Sequence, residues 1–249
     1  MTDGGQVPEH SGPYQYRTDN TRLILILLVV TDLIFMALHA LRWWFNSPNL
    51  ALRIDIEGGY GEVFQYTKYL WAAILIGWFA VKNRAWRFAS WSIVFLYFLA
   101  DDCLAIHETL GSLVAARVSF ELPLGLEPVD FGDLVTLLST AAALAILVFA
   151  AQLGAGRNVK QAFIELAALA VLLGLFGVAA DLLHGLFKAD PLLDFMLGML
   201  EDGGEMIAAS LLVWYTFRLQ NRCPVFFWRS SKQLQVKAEE GRFSASLEP

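Results

Sequence analysis

Eight acidic residues lie within or at the ends of apolar stretches that are long enough to cross a bilayer. They are Asp32, Asp101, Asp102, Glu108, Asp181, Glu201, Asp202 and Glu205. A carboxylate at mid-membrane costs about 2.5–3.5 kcal/mol even on the lenient insertion scale, and Lys68 is the only basic residue placed to neutralise the deeper acids from within a span. These carboxyl groups must therefore be protonated, hydrated or gathered around a bound cation.

Three histidines, His39, His107 and His184, fall in the same zone as the acids. Imidazole together with carboxylate is a ligand set for Zn, Mn or Fe, whereas a purely carboxylate set suits Ca or Mg. Asp181 and His184 have i, i+3 spacing, so a helix brings them side by side. Glu205 or Asp102 would act as general base or would orient a ligand. The sequence predicts a divalent-metal site with candidate ligands Asp101, His107, Glu108, Asp181, His184, Glu201 and Glu205.

The third apolar stretch, residues 86–109, has polar groups near its end. On one continuous helix, Asp101 and Glu108 share a face, but His107 points about 120° away from Asp101. This stretch alone therefore cannot present all its polar groups to one ion, and ligands from several helices are expected. A di-iron site of the ferritin type uses two E-x-x-H pairs on separate helices. Asp181 and His184 resemble one such pair, but Leu104 stands where an acid would have to precede His107, so the pattern is only half met.

The composition indicates a multi-pass membrane protein. Of the 249 residues, 57% are hydrophobic and 17% are charged, and the mean hydropathy is +0.51, values typical of membrane-embedded chains. The predicted fold is an all-α polytopic bundle of six transmembrane helices, each near the length of roughly 20 residues that a span needs. The spans are expected at 22–45, 63–82, 86–109, 131–153, 161–184 and 196–218. The net charge of −6 argues against nucleic acid as a partner.

Lysine and arginine are concentrated in alternate loops, and the remaining loops are acidic. An excess of basic residues marks the cytoplasmic side of a membrane protein, which predicts that both termini are cytoplasmic. Three regions follow: a disordered N-terminal segment at 1–21, a membrane domain at 22–218, and a juxtamembrane tail at 219–249 with a disordered end. A bacterial inner membrane is the expected location, and the metal site would lie in its outer half.

Two resemblances accompany these motifs. The run Asp101-Asp102-x4-His107-Glu108, followed by Glu201-Asp202-Gly203-Gly204-Glu205, resembles uncharacterised bacterial multi-pass membrane proteins. The intramembrane histidines on different helices are distantly similar to those of the alkaline ceramidase and adiponectin-receptor superfamily, whose members hold zinc with three histidines and hydrolyse lipid amides. That resemblance implies a zinc-dependent lipid hydrolase. The chain departs from it in having six predicted spans instead of seven, no paired HxxxH near the C-terminus and more acids, so no residue roles are assigned from it.

These observations leave three functions open. The leading hypothesis is a metal-dependent membrane enzyme that acts on a small amphipathic substrate from the membrane lipid, with hydrolysis by a metal-bound water favoured and a redox reaction if the metal is iron. The second is a cation transporter or channel, although few polar residues lie in the inner half of the spans, which favours a closed pocket. The third is a non-catalytic accessory or assembly subunit, with oligomerisation left open. A water-filled cavity could also solvate the acids without metal.

Overall fold

The computed structural model describes residues 14–56, 58–119, 127–180 and 191–221. Every regular element in these ranges is helical, so the all-α prediction is confirmed for them. Most of the predicted terminal segments lie outside the described residues, and so do two of the candidate ligands, Asp181 and His184.

Seven α-helices occupy the described ranges. They are α1 (Tyr14–Trp44), α2 (Tyr60–Lys82), α3 (Ala89–Leu104), α4 (Ile106–Ala115), α5 (Pro128–Gln152), α6 (Arg157–Gly174) and α7 (Pro191–Asn221). Short 3₁₀ turns lie at Leu50–Leu52 and Trp86–Phe88, and a π-helical segment, Leu175–Ala180, continues α6. The predicted spans overlap these helices, except that the third is divided between α3 and α4.

Several helices are suited to a lipid bilayer. Those that are long and apolar enough to cross it, by length and composition, are Asn20–Trp44, Pro128–Gln152 and Arg157–Gly177. The bent pair Trp86–Leu104 and Ile106–Ala115 would form a fourth, broken span. Exposed apolar side chains such as Ile26, Ile146 and Ile164 cover the outward faces, which is the surface that lipid requires. These helices indicate a membrane protein.

Helix α7 packs against α1, α2, α6 and the π-helical segment, while α2 also packs along α3 and α4 along α5. An apolar core joins several of these helices at one end of the bundle. Its buried members include Ile76, Phe79, Phe88, Phe95, Phe163, Leu166, Leu212 and Leu219. The polar residues of α2, α3 and α7 lie toward the opposite ends of the same helices. The bundle is thus divided along its length into an apolar half and a polar half.

The third predicted span is broken at Ala105. This residue has left-handed backbone angles, φ 45° and ψ 50°, and α3 and α4 are bent by 68° relative to each other. The prediction of one helix over 86–109 is therefore wrong, and so is the orientation of His107 that it implied. Alanine favours helix, so the local sequence does not signal the break. The side chain of Asp101 stabilises it, since it accepts the backbone N–H of His107.

Helices α4 and α5 approach closely because two glycines face each other. Gly111 and Gly132 are both buried, and a Cβ added at Gly132 would overlap the backbone oxygen of Gly111. Small residues permit this kind of close helix contact within membranes. The contact holds α4, which contains His107, against α5.

We expect Gly132→Ala to destabilise the bundle by about 1–3 kcal/mol, the usual effect of an added methyl group in a packed interior. The backbone of Gly111 cannot move aside without shifting α4. The measurement is the midpoint of thermal unfolding of the detergent-purified protein. Gly174→Ala is the matched control, because a Cβ at Gly174 meets nothing within 4 Å. Equal midpoints for the two variants would contradict the close contact.

Candidate functional site

A buried ion pair joins three helices at the boundary between the polar and apolar halves. Lys68 of α2 and Asp32 of α1 are both 0% exposed, and Nζ of Lys68 lies 2.8 Å from Oδ1 of Asp32. The same Nζ donates to the backbone oxygen of Met206 at 2.7 Å and to Oγ of Ser210 at 3.3 Å. Ser210 in turn donates to Oδ2 of Asp32. Each of the three ammonium protons therefore has an acceptor.

This ion pair determines which charges of the bundle are compensated. In the structure the carboxylate of Asp32 neutralises Lys68. Breaking a buried pair leaves a charge without a partner, which is strongly unfavourable. Lys68 is therefore not available to the other intramembrane acids, for which it was the only basic candidate within a span.

Gln65 lies at the centre of a second polar group, one helical turn before Lys68 on α2. Its side-chain nitrogen donates to Oε2 of Glu205 at 2.8 Å and to the hydroxyl of Tyr69 at 3.0 Å. The same side chain lies near Asp102 of α3. Gln65 and Tyr69 are both buried. Both N–H groups of this amide are therefore used, one on Glu205 of α7 and one on Tyr69 of α2 itself.

Asp101 and His107 form a pair across the helix break. Oδ1 of Asp101 accepts the backbone N–H of His107 at 3.0 Å, and Oδ2 lies 3.1 Å from Nδ1 of the imidazole. Tyr97 donates its hydroxyl to Oδ1 of Asp101 at 3.1 Å. A continuous helix would hold the two side chains on different faces, and the break at Ala105 brings them together.

These polar side chains form one group, which we call the acidic network. Its members are Asp101, Asp102, His107, Glu205, Gln65 and Tyr69. Asp102 is close enough to Asp101 and His107 for electrostatic interaction, and Glu205 is close enough to Asp102 and His107. Tyr66 donates to the backbone oxygen of Asp102 at 3.2 Å. Helices α2, α3, α4 and α7 each contribute to the network.

Three glycines allow close packing around Glu205. A Cβ at Gly203 would overlap Met36 of α1, and a Cβ at Gly204 would overlap Phe176 of the π-helical segment. The glycine pair of α7 therefore admits neighbouring side chains. A Cβ at Gly177 would overlap Oε1 of Glu205. π-helical turns are frequent at functional sites, and this one lies directly against a carboxylate of the network.

The other candidate ligands are placed differently. Glu108 is exposed on α4, and Glu201 is half-buried on α7 near Glu205. In the ranges that the structure describes, no group of three or more His, Cys, Asp or Glu side chains is arranged to hold a metal ion. Because Asp181 and His184 lie outside those ranges, the predicted metal site stays a prediction.

His39 contacts the connection between α1 and α2. Its Nδ1 accepts the N–H of Ile54 at 3.1 Å, and its ring stacks on Phe195 with centroids 5.3 Å apart. Asp55 lies 3.6 Å from the same nitrogen and accepts two hydrogen bonds from Arg53. Burial raises the pKa of Asp55, but the hydrogen bonds and charge of Arg53 outweigh it and hold that pKa below its ordinary value.

A search for charged residues in apolar stretches does not find the uncharged residues of the site, Gln65, Tyr66 and Tyr69. Gln65, Tyr66 and Tyr69 follow Glu62 at the i+3, i+4 and i+7 positions, so all four residues fall on one face of α2. Polar residues on a membrane helix almost always face the interior of the bundle. This spacing is the sequence signal that would have identified α2 as part of the site.

Comparison with known proteins gives one family-level result. The family model described as "Domain of unknown function (DUF8692)" matches residues 22–220. The matched range contains both the buried ion pair and the acidic network. No curated protein and no solved structure matches the chain.

We expect Lys68→Met to destabilise the protein by about 3–5 kcal/mol, because it leaves the carboxylate of Asp32 buried without a counter-charge. In the double variant Asp32→Asn/Lys68→Met no charge remains to be compensated, and most of the loss should be recovered. Thermal unfolding of the detergent-purified variants measures both effects. Lys82→Met, at an exposed position of α2, is the control for losing a lysine. A single variant as stable as this control would show that the pair is dispensable.

Proposed function

The chain belongs to the family described as Domain of unknown function (DUF8692), and we propose that it is a metal-dependent membrane enzyme. A divalent ion (Zn, Mn or Fe, with Ca as the alternative) would bind at the acidic network. The substrate would be small and amphipathic, with its polar group reaching the network from the membrane lipid. Hydrolysis of an ester or amide is the simplest chemistry, and iron would allow oxidoreduction.

One observation carries the proposal: the carboxylates of the network lack a lysine or arginine as partner. Asp101, Asp102 and Glu205 have no salt bridge to lysine or arginine within the described part of the chain. Lys68 is committed to the buried ion pair, and a protonated His107 would offset one negative charge. Burying unpaired carboxylates is unfavourable, whereas one divalent ion neutralises two of them at once.

Asp102 and Glu205 are suited to the roles of ligand and general base. A metal-bound water is more acidic than free water, so Asp102 or Glu205, if left uncoordinated, would accept its proton. The water would add to the carbonyl carbon of the substrate as it gives up this proton. The C–O or C–N bond would then break, and the leaving alcohol or amine would take up the proton from the same carboxyl group.

A complete coordination sphere needs more donors than Asp102 and Glu205 supply. Asp181 and His184 are the proposed source, since they follow Gly177 closely in the sequence. Gly177 itself lies directly against Glu205. The imidazole of His184 would supply a nitrogen donor, which transition metals such as Zn and Fe accept more readily than Ca does.

We further infer six membrane spans, with both termini in the cytoplasm of a bacterium and the acidic network in the outer half of the inner membrane. The spans would be α1, α2, the α3–α4 pair, α5, α6 with the π-helical segment, and α7. The distribution of lysine and arginine supports this orientation, because basic residues such as Arg87, Arg157 and Lys160 cluster in the loops on one side.

A cation transporter is the second candidate, because the buried ion pair lies beside the acidic network. Lys68 contacts the backbone of Met206, the residue after Glu205, so the two polar groups are adjacent. Beyond Ser210, however, α7 contributes Leu212 to the apolar core. A continuous path for ions would have to cross this core, whereas a pocket open at one end would not. The one-ended arrangement favours the enzyme.

We expect the detergent-purified protein to retain a stoichiometric amount of divalent metal, measured by elemental analysis after loosely bound metal has been removed. The double variant Asp102→Asn/Glu205→Gln should lose this metal, because both carboxylates become neutral amides. Wild-type protein reloaded with the metal should then hydrolyse a fluorogenic lipid ester or amide.

The control is Glu127→Gln/Asp130→Asn, which makes the same chemical changes at two exposed positions at the start of α5 and should retain the metal. Equal metal contents in the two double variants would remove the acidic network as the binding site. Metal-dependent ion flux in proteoliposomes, without hydrolysis, would favour the transporter over the enzyme.

A further inference from the structure

His39 is a buried histidine outside the acidic network, at the point where the end of α1 meets two other segments. Its side chain is 8% exposed. Its Nδ1 accepts the backbone N–H of Ile54 at 3.1 Å, in the connection between α1 and α2. Its ring stacks on Phe195 near the start of α7, with an angle of 13° between the ring planes. One imidazole therefore contacts both neighbouring segments.

The hydrogen bond from Ile54 determines the protonation state of His39. A backbone N–H can donate only to a nitrogen that has a free lone pair, so Nδ1 is unprotonated in this arrangement. The neutral ring then carries its hydrogen on Nε2. A protonated imidazole has an N–H group on both nitrogens and accepts no hydrogen bond. The bond from Ile54 and a positive charge on His39 therefore exclude each other.

Asp55 offers the protonated ring a different partner. Its Oδ1 lies 3.6 Å from Nδ1 of His39, which is beyond hydrogen-bonding distance, as expected while that nitrogen has no hydrogen to donate. A hydrogen on Nδ1 would turn this contact into a charge-assisted hydrogen bond, which is shorter and stronger than a neutral one. Arg53 also donates to Asp55, so the two cations would share one carboxylate.

The charges near His39 come from all three segments. Asp55 of the connection favours the protonated ring, whereas Arg53 of the connection and Arg42 of α1 disfavour it. Two carboxylates of α7 act in turn on the charge of Arg53, and they are Asp194 and Asp202. Opposing charges are thus balanced around a side chain whose kind changes its charge between about pH 5 and pH 8.

A movement of Ile54 would be transmitted to α2. Gly61, in the first turn of α2, is buried, and a Cβ added there would lie 3.1 Å from Cγ2 of Ile54. A Cβ added at Gly59, the residue before α2, would lie 2.8 Å from the backbone oxygen of Arg53. The connection therefore packs directly on the start of α2, one turn before Gln65.

We propose that His39 is a pH-sensitive switch for the connection between α1 and α2. With the ring neutral, Nδ1 accepts the N–H of Ile54 and holds the connection against α1. With the ring protonated, Nδ1 donates to Oδ1 of Asp55, the N–H of Ile54 loses its acceptor, and the connection is released from α1. In the orientation inferred above, this end of the bundle faces the outer compartment. The switch itself does not depend on what the acidic network binds.

Hydrogen–deuterium exchange of the detergent-purified protein, read by mass spectrometry with peptide fragmentation, tests the switch. Exchange is compared at about pH 8 and about pH 5, with each rate corrected for the effect of pH on the exchange chemistry. We expect the protection of the Ile54 amide to fall about 10-fold at the lower pH in the wild type, the effect of losing one hydrogen bond. Residues 136–148 of α5 are the internal reference and should keep their protection.

His39→Asn is the matched control, because an amide oxygen close to the position of Nδ1 can accept the N–H of Ile54 at either pH. The protection of Ile54 should then be the same at both pH values. Asp55→Asn removes the carboxylate that favours the protonated ring, so more acid is needed for the same change. Its exchange transition should move to lower pH by about one unit.

Equal protection of Ile54 at the two pH values in the wild type would overturn the switch. A pH dependence that persists in His39→Asn would do the same, because it would belong to another group. A loss of protection that extends to α5 would indicate acid unfolding of the bundle and would also count against a local switch. If His39→Asn does not fold, Asp55→Asn decides, since an unshifted transition would contradict the exchange of partners.

Discussion

The pairing of Lys68 with Asp32 is the interaction on which the polar half of the bundle depends. An ammonium group whose three protons are all bound in an apolar interior cannot reach another acid without leaving a buried charge unpaired. The pair also holds α2 against α7, since Lys68 contacts Met206 while Gln65, one turn earlier, contacts Glu205. The pair thus helps to fix α2 against α7 beside the acidic network, and it leaves Lys68 unavailable to the carboxyl groups of that network.

Asp101 and Asp102 are adjacent in the sequence but have different surroundings in the structure. The reason is that α3 ends at Leu104, between these two acids and His107. Asp101 accepts the N–H of His107 in the first turn of α4, where free N–H groups and the helix dipole favour a negative charge. Asp102 lies toward Gln65, on the side of α2 and α7. The two neighbouring carboxyl groups therefore have different surroundings: Asp101 caps the start of α4, and Asp102 lies on the side of α2.

The sequence predicts those features of the fold and the site that depend on residues close together in the chain, and it does not predict those that depend on a single contact. Apolar length is a property of many residues at once, and it predicted an all-α chain with helices close to the expected positions. The energetic cost of charge in lipid pointed to Asp102 and Glu205. The break at Ala105 is held by hydrogen bonds to the backbone and the side chain of Asp101, within a sequence that otherwise favours a helix, so hydrophobic periodicity does not predict it. The partner of Asp32 is 36 residues away on another helix, and several acids compete for that one lysine.

The apolar core on the far side of Ser210 is rich in aromatic rings. Phe88 packs edge to face on Phe79 and on Phe163, with centroids 5.0 Å and 5.2 Å apart. In a bilayer, tightly packed rings of this kind act as an electrical insulator, because an ion entering them loses its hydration as it would in hydrocarbon. An ion that entered this part of the bundle would therefore meet a barrier like that of the lipid around it.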